Sequence, residues 1–347
     1  MSPSPVELAG LRYVSDGEPG IRREGDPGAF VYRDAQGRRI RSKAVLDRIR
    51  LLAIPPAYVD VWICATADGH LQAVGRDARG RKQYRYHPQW RAVRDSNKFE
   101  RLVRFARGLP ALRQRVLADV ARPGLPREKV LATVVWLLEA TLARVGNEEY
   151  ARLNKSFGLT TLRNRHVQVK GGEMRFHFRG KGGKLWRLRL EDRRIARILR
   201  TCQELPGQSL FQYRDDEGEL QTIGSADVNA YLRDITGEDV TAKDFRTWAG
   251  TVLAALELAA MPAVTTQGMT KAQVKEAVAR TSARLGNTPA ICRKCYVHPA
   301  VFERHAAGAL DIRLRPPRGE GPSLRVEEAA VLSFLRRCAR DAATRPG

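Results

Sequence analysis

Residues 285–296 read LGNTPAICRKCY. A polar residue, Asn287, follows Leu-Gly, and Tyr296 stands nine positions further on. A phenol is mostly protonated at neutral pH, so a Tyr that attacks phosphorus needs a cationic setting. Groups able to supply one stand upstream: Arg144 in ARVGNEEY, Lys181 in FRGKGGK and Arg246 in KDFRTWAG. One chemistry uses all of them. The phenol attacks a phosphodiester, and negative charge builds on the non-bridging oxygens. Guanidinium groups and a polar donor suit that charge; removing one such donor typically costs roughly 100- to 1,000-fold in rate. An alkoxide leaves poorly, so an acid must protonate it. Lys181 has Arg179 and Lys184 as neighbours, and nearby positive charge eases proton release. The glycines around it let the backbone approach a polyanion closely.

The composition agrees with a polyanionic partner. Formal net charge is +23 over 347 residues, a field that attracts nucleic acid. Arg supplies 49 of the 61 basic residues, and its fork pairs bidentately with phosphate. Apolar residues make up 43% of the chain, enough for a substantial core and two or three domains. The sequence has neither an 18-residue apolar run nor an apolar signal-peptide core in MSPSPVELAGLRYVSDGEPG. Five cysteines do not make a disulfide scaffold. These features predict a cytoplasmic, nucleoid-associated protein. Cys292 and Cys295 form a CxxC, but zinc would need two more ligands beside Tyr296. Plain thiols are the expectation.

The elements that must position these groups are legible as a mixed, α+β pattern. Residues 1–95 read as β-rich, with strands at 58–65, 71–74 and 82–87 and a helix at 42–52. Residues 96–347 read as mainly helical, with helices at 99–106, 109–121, 127–144, 192–202, 226–234, 244–258, 271–285 and 326–340. Between 160 and 190, HVQVK, MRFHFR and KLWRLRL are separated by GGE and GKGG. That is a three-stranded meander with Lys181 in its second turn. In the first region, residues 72–94 hold seven basic residues and one acid, with Tyr84, Tyr86 and Trp90 interleaved. Such a strand suits contact with a DNA backbone through Gln83, Tyr84 and Tyr86, supported by Arg79, Arg81, Lys82 and Arg85.

ARVGNEEY, FRGKGGK, KDFRTWAGT and LGNTPAICRKCY, in this order, resemble the catalytic segments of the type IB DNA topoisomerases, in their short poxvirus and bacterial form. PPAYVDVWI and GRKQYRYH are similar to that family's β-rich N-terminal domain, so the resemblance covers nearly the whole chain. It implies Tyr296 as the nucleophile joined to a 3′-phosphate, Arg144 and Arg246 on the non-bridging oxygens, and Lys181 as the acid for the 5′-oxygen. Asn287 stands where the poxvirus enzymes carry His. Tyr150 matches a DNA-contacting position, and Lys243 stands where the related tyrosine recombinases usually carry His. The resemblance further implies a monomeric, C-shaped clamp around duplex DNA that needs no ATP, metal or other cofactor.

Two other readings use the same residues. A tyrosine recombinase shares the spacing that ends in Tyr296, but its N-terminal region is usually helical and position 243 usually His. A non-enzymatic DNA-binding protein would use the same charge and aromatics without needing Tyr296.

Overall fold

The structure, a computed structural model, describes residues 10–78, 80, 82–263, 266–316 and 323–343, the side chains of 91–100 and 342–343 excepted. The architecture is α+β. The chain divides into two compact units, Met1–Glu100 and Arg101–Gly347.

The first unit is built on an antiparallel sheet of order β2-β1-β3-β4-β5. Its strands are β1 (Ile21–Glu24), β2 (Val31–Arg33), β3 (Val59–Ile63), β4 (Leu71–Arg76) and β5 (Lys82–Tyr86). Helix α1 (Lys43–Leu51) packs on one face. Side chains alternate across a strand. Trp62, Cys64 and Val74 accordingly join one apolar cluster with Val14, while Val61, Ile63 and Ala73 join another with Ile21 and Ile49. Both faces are covered, which is why these strands read as continuous apolar runs. Strands β1 and β2 escaped the sequence reading because they are short and rich in Arg.

The second unit is mainly helical. Helix α2 (Pro88–Val120) is one element where the sequence predicts two, and Pro110 lies inside it. Leu102, Phe105, Leu109, Leu112 and Val116 are buried at three- and four-residue spacing across the proline. That continuous stripe outweighs the hydrogen bond that Pro removes. Helix α3 (Arg127–Thr141) buries residues around its whole circumference, including Val130, Leu131, Val134, Leu137 and Leu138, and forms the centre of the core. It ends at Thr141, three residues short of the expected Arg144. Leu142 adopts a left-handed conformation with φ 57°, and Arg144 follows in a stretch that is neither helix nor strand.

Asn147 caps helix α4 (Glu148–Asn154), accepting from the Tyr150 N–H at 2.8 Å. Glu148 and Glu149 sit in its first turn, where acids meet the positive end of the helix dipole. The predicted meander is present as β6 (Val167–Lys170), β7 (Glu173–Arg179) and β8 (Leu185–Glu191). Lys181–Gly183 form a single 3-10 turn between β7 and β8. Then follow α5 (Arg193–Glu204), the hairpin β9 (Gln212–Arg214) and β10 (Leu220–Thr222), α6 (Ser225–Thr236), α7 (Ala242–Ala259), α8 (Gln267–Leu285), α9 (Pro289–Tyr296), α10 (Pro299–Ala306) and α11 (Val326–Ala343). No helix among the described residues is long and apolar enough to cross a membrane.

Candidate active site

Three helix ends converge on one cluster. Gly286 ends α8 in the left-handed region with φ 66°, Thr288 caps α9, and Pro289 fills its first position. Gly at a helix end and Thr-Pro at the next start are ordinary punctuation. They leave Asn287 alone in the junction and set Tyr296 as the last residue of α9, which accounts for the nine-residue offset. Trp186 of β8 lies directly over Gly286; a Cβ there would stand 2.4 Å from its ring. The hairpin that carries Lys181 is thereby seated against the Asn287 junction.

Arg246 emerges from α7 and is only 3% exposed. Its guanidinium donates to the Leu142 carbonyl, to the Leu285 carbonyl at 2.7 Å and to Asn287 Oδ1 at 3.2 Å. Both carbonyls belong to helix C-termini, where partial negative charge collects. The left-handed Leu142 is a costly conformation for a branched residue, and its carbonyl is one of the two that Arg246 uses. Arg144 reaches the same Asn287 Oδ1. Arg side chains only donate, so the amide oxygen of Asn287 must face them. Its Nδ2 is consequently turned elsewhere, buried and, among the described residues, without a partner, as is Nε of Arg246. Among the described residues neither Arg144 nor Arg246 is paired with a carboxylate. Burial presses the pKa of the Arg246 guanidinium below its ordinary value; the Tyr296 phenol opposes this and the Arg144 charge adds to it.

The Tyr296 ring lies against this charge, its centroid 5.1 Å from Arg246 Cζ. Tyr296 is 7% exposed. Helix α7 holds it through two residues that the sequence reading did not single out. Gly250, one turn beyond Arg246, lets the Tyr296 backbone come close; a Cβ at this glycine would lie 2.4 Å from the Tyr296 carbonyl oxygen. Thr251 accepts from the His298 N–H at 3.1 Å and fixes the chain just after Tyr296. The signal was the helical spacing of Arg246 and Gly250 within one motif, which places both on one face.

Lys181 is held differently. It is exposed at the tip of its turn, with its ammonium 5.9 Å from the centroid of the Tyr150 ring. Tyr150, Lys181 and the Arg144 stretch thus share one neighbourhood. Lys243 is exposed in the first turn of α7. In the first unit, β5 is the sheet edge, and alternation sets Lys82, Tyr84 and Tyr86 on one face and Gln83 and Arg85 on the other. Tyr84 and Tyr86 stack with centroids 6.1 Å apart. Tyr84 is 45% exposed, whereas Tyr86 packs on the Val14 cluster. Gln83 donates to Asp77 at 3.0 Å, Arg85 to the Ala53 carbonyl at 2.8 Å, and Lys82 pairs with Asp16 at 2.6 Å. Arg79 and Arg81 lie outside the described residues.

All five cysteines are free. Cys292 is fully buried, and burial pushes its thiol up to about 11. His298 caps α10, and His305 lies 2.8 Å from Gln273. Among the described residues no three His, Cys, Asp or Glu side chains group as metal ligands. Chemically the cluster sets two guanidinium groups beside a phenol, with buried N–H donors on Asn287 and Arg246 that have no partner among the described residues. An oxyanion is the complement it lacks.

Residues 87–312 match the family model of the eukaryotic DNA topoisomerase I catalytic core, and residues 29–77 match that of the bacterial DNA topoisomerase IB N-terminal domain. The chain belongs to the type IB DNA topoisomerases and is an isomerase that acts on DNA. DNA topoisomerase 1B of Acanthamoeba polyphaga mimivirus is 30% identical over 285 residues, which span 80% of this chain and 85% of that relative.

Proposed function

We propose that Tyr296 is the nucleophile and that Arg144, Arg246 and Asn287 form the recess for the scissile phosphate. The observation that carries this is the buried Arg246 guanidinium, without a carboxylate partner among the described residues, facing the Tyr296 ring beside the unpartnered Asn287 Nδ2. A buried charge without a counter-ion is costly unless something completes it. A non-bridging phosphate oxygen would do so.

In the reaction the phenolic oxygen bonds to phosphorus, its proton leaves to water, and the bond from phosphorus to the 5′-oxygen breaks. Lys181 gives that oxygen its proton. The product is a 3′-phosphotyrosyl link and a free 5′-hydroxyl. The link keeps the energy of the broken ester, so the hydroxyl can return after strand rotation without ATP. The cations stabilise the charge that a metal ion would otherwise hold. The substrate is duplex DNA, because rotation about an intact strand requires one. Tyr150, Lys243 and the edge strand with Gln83, Tyr84 and Tyr86 supply contacts to it, with Arg79, Arg81, Lys82 and Arg85 adding charge. Action as a monomer is inferred from the resemblance to the short type IB enzymes.

The test is Tyr296→Phe, which removes only the hydroxyl. Covalent DNA adducts on a denaturing gel should disappear while binding to a nicked or intact duplex stays within about twofold of wild type, since the phosphate contacts remain. Adducts at wild-type levels would reject the assignment.

A further inference from the structure

Helix α11 lies beyond residue 312, where the match to the catalytic core ends. Its first turn carries Glu328, a carboxylate only 7% exposed. Arg113 of α2 grips it with both terminal nitrogens, at 2.8 and 2.7 Å. The same guanidinium turns its Nε and Nη2 to Glu139 of α3, at 2.9 and 2.7 Å. Arg325 also reaches Glu139, at 2.9 Å. Two acids and two Arg therefore balance. On the other side, Glu328 accepts from the indole N–H of Trp248 in α7 at 3.3 Å. Burial opposes ionisation of Glu328, but the Arg113 fork outweighs it and holds the carboxyl below its ordinary range.

The positions of the anchored residues matter. Glu139 lies five residues before Arg144, on the helix whose end leads into it. Trp248 lies two residues after Arg246, on the same helix. Apolar packing alone permits helices to slide past one another, whereas bidentate Arg–carboxylate pairs fix a geometry.

We propose that Glu328 is a positioning residue for the reaction. Through Arg113 and Glu139 on one side and Trp248 on the other, it sets the separation of the helices that deliver Arg144 and Arg246. Helix α11 is then a clasp of the active site. The proposal rests on the reading of Arg144 and Arg246 as the phosphate clamp. Clamp geometry matters because a displacement of about 1 Å can cost on the order of 100-fold in rate.

The experiment uses the full chain and single-turnover cleavage at a mapped site. Wild type, Glu328→Gln and Arg246→Ala are each given an ordinary phosphodiester and a methylphosphonate, in which one charged non-bridging oxygen is a methyl group. Glu328→Gln should bind DNA within about twofold of wild type and cleave the phosphodiester roughly 10- to 100-fold more slowly. On the uncharged linkage its deficit should shrink, as for Arg246→Ala, because less charge needs holding. A wild-type rate, or a deficit equal on both linkages, overturns the proposal; the second result is general loss of folded enzyme. If Glu328→Gln does not fold, Trp248→Phe, which removes the indole N–H together with part of the buried ring, is read by the same criteria. Full activity in Arg246→Ala would remove the clamp and the clasp with it. An inactive Arg246→Ala beside a fully active Glu328→Gln would overturn the clasp alone.

Discussion

Asn287 does two jobs with one amide. Its oxygen joins two guanidinium groups that would otherwise repel, and its nitrogen is left to donate. The two can be separated. Asn287→Ala should slow cleavage by about 100-fold, the usual loss for one oxyanion donor. Asn287→Asp keeps the oxygen that accepts from both guanidinium groups but loses the donor and repels phosphate, so it should be no faster than Ala. Asn287→His keeps a donor but can accept from only one guanidinium, and should fall between wild type and Ala. Single-turnover rates of the three variants decide the matter; an Asp variant near wild type would show that the donor is unused. Lys181 is tested through its leaving group. Lys181→Ala should cleave slowly at a 5′-oxygen and regain most of its rate at a 5′-sulfur, because a thiolate departs without a proton. Equal slowness on both would move the acid elsewhere. Tyr296, Arg144, Lys181 and Arg246 were legible as types at recognisable positions. The sharing of the Asn287 oxygen was not, because it depends on three helix ends meeting.

At the scale of elements, junctions decide the site. The Gly286-Asn287-Thr288-Pro289 stop and start places Asn287 and Tyr296, yet the sequence pattern showed only the end of the preceding helix at 285 and no helix over 289–296. The Asn147 cap, which emerged only in the structure, explains Glu148 and Glu149 as first-turn acids. What pattern could not show was Leu142, whose left-handed turn ends α3 early although apolar periodicity continues past it. Nor could it show that α2 runs through Pro110, since local propensity there is overridden by burial. Gly250 carries the element-scale expectation. Gly→Ala inside a helix ordinarily gains about 1 kcal/mol. Here the added methyl meets the Tyr296 backbone, and overpacking costs about 1–3 kcal/mol. Gly250→Ala should therefore lower the melting temperature and slow cleavage together. A higher Tm with an unchanged rate would show that α7 and α9 are not held at this contact.

For the whole molecule, charge governs encounter. The α+β character and the placement of a β-rich region before a helical one were readable from periodicity, because the two repeat lengths differ. The short Arg-rich strands β1 and β2 were not, since they carry almost no apolar signal. A chain of formal charge +23 should bind DNA with a steep salt dependence, log affinity falling by about 0.9 per phosphate contact for each tenfold rise in salt. Removing charge at Arg79, Arg81, Lys82 and Arg85 together should weaken binding and flatten that slope. Lys82 should give the smaller share because Asp16 already pairs with it. Unaltered affinity and slope in the fourfold variant would place the DNA surface elsewhere.

Tyr296 as the nucleophile is tested most directly by locating the covalent bond. Wild-type protein is incubated with supercoiled plasmid in EDTA without ATP, stopped with detergent, digested with nuclease and protease, and read by tandem mass spectrometry. The expected result is a nucleotide on the peptide containing Tyr296, attached through its 3′-phosphate, alongside relaxed plasmid. A nucleotide on any other residue, or attachment through a 5′-phosphate, would contradict the assignment.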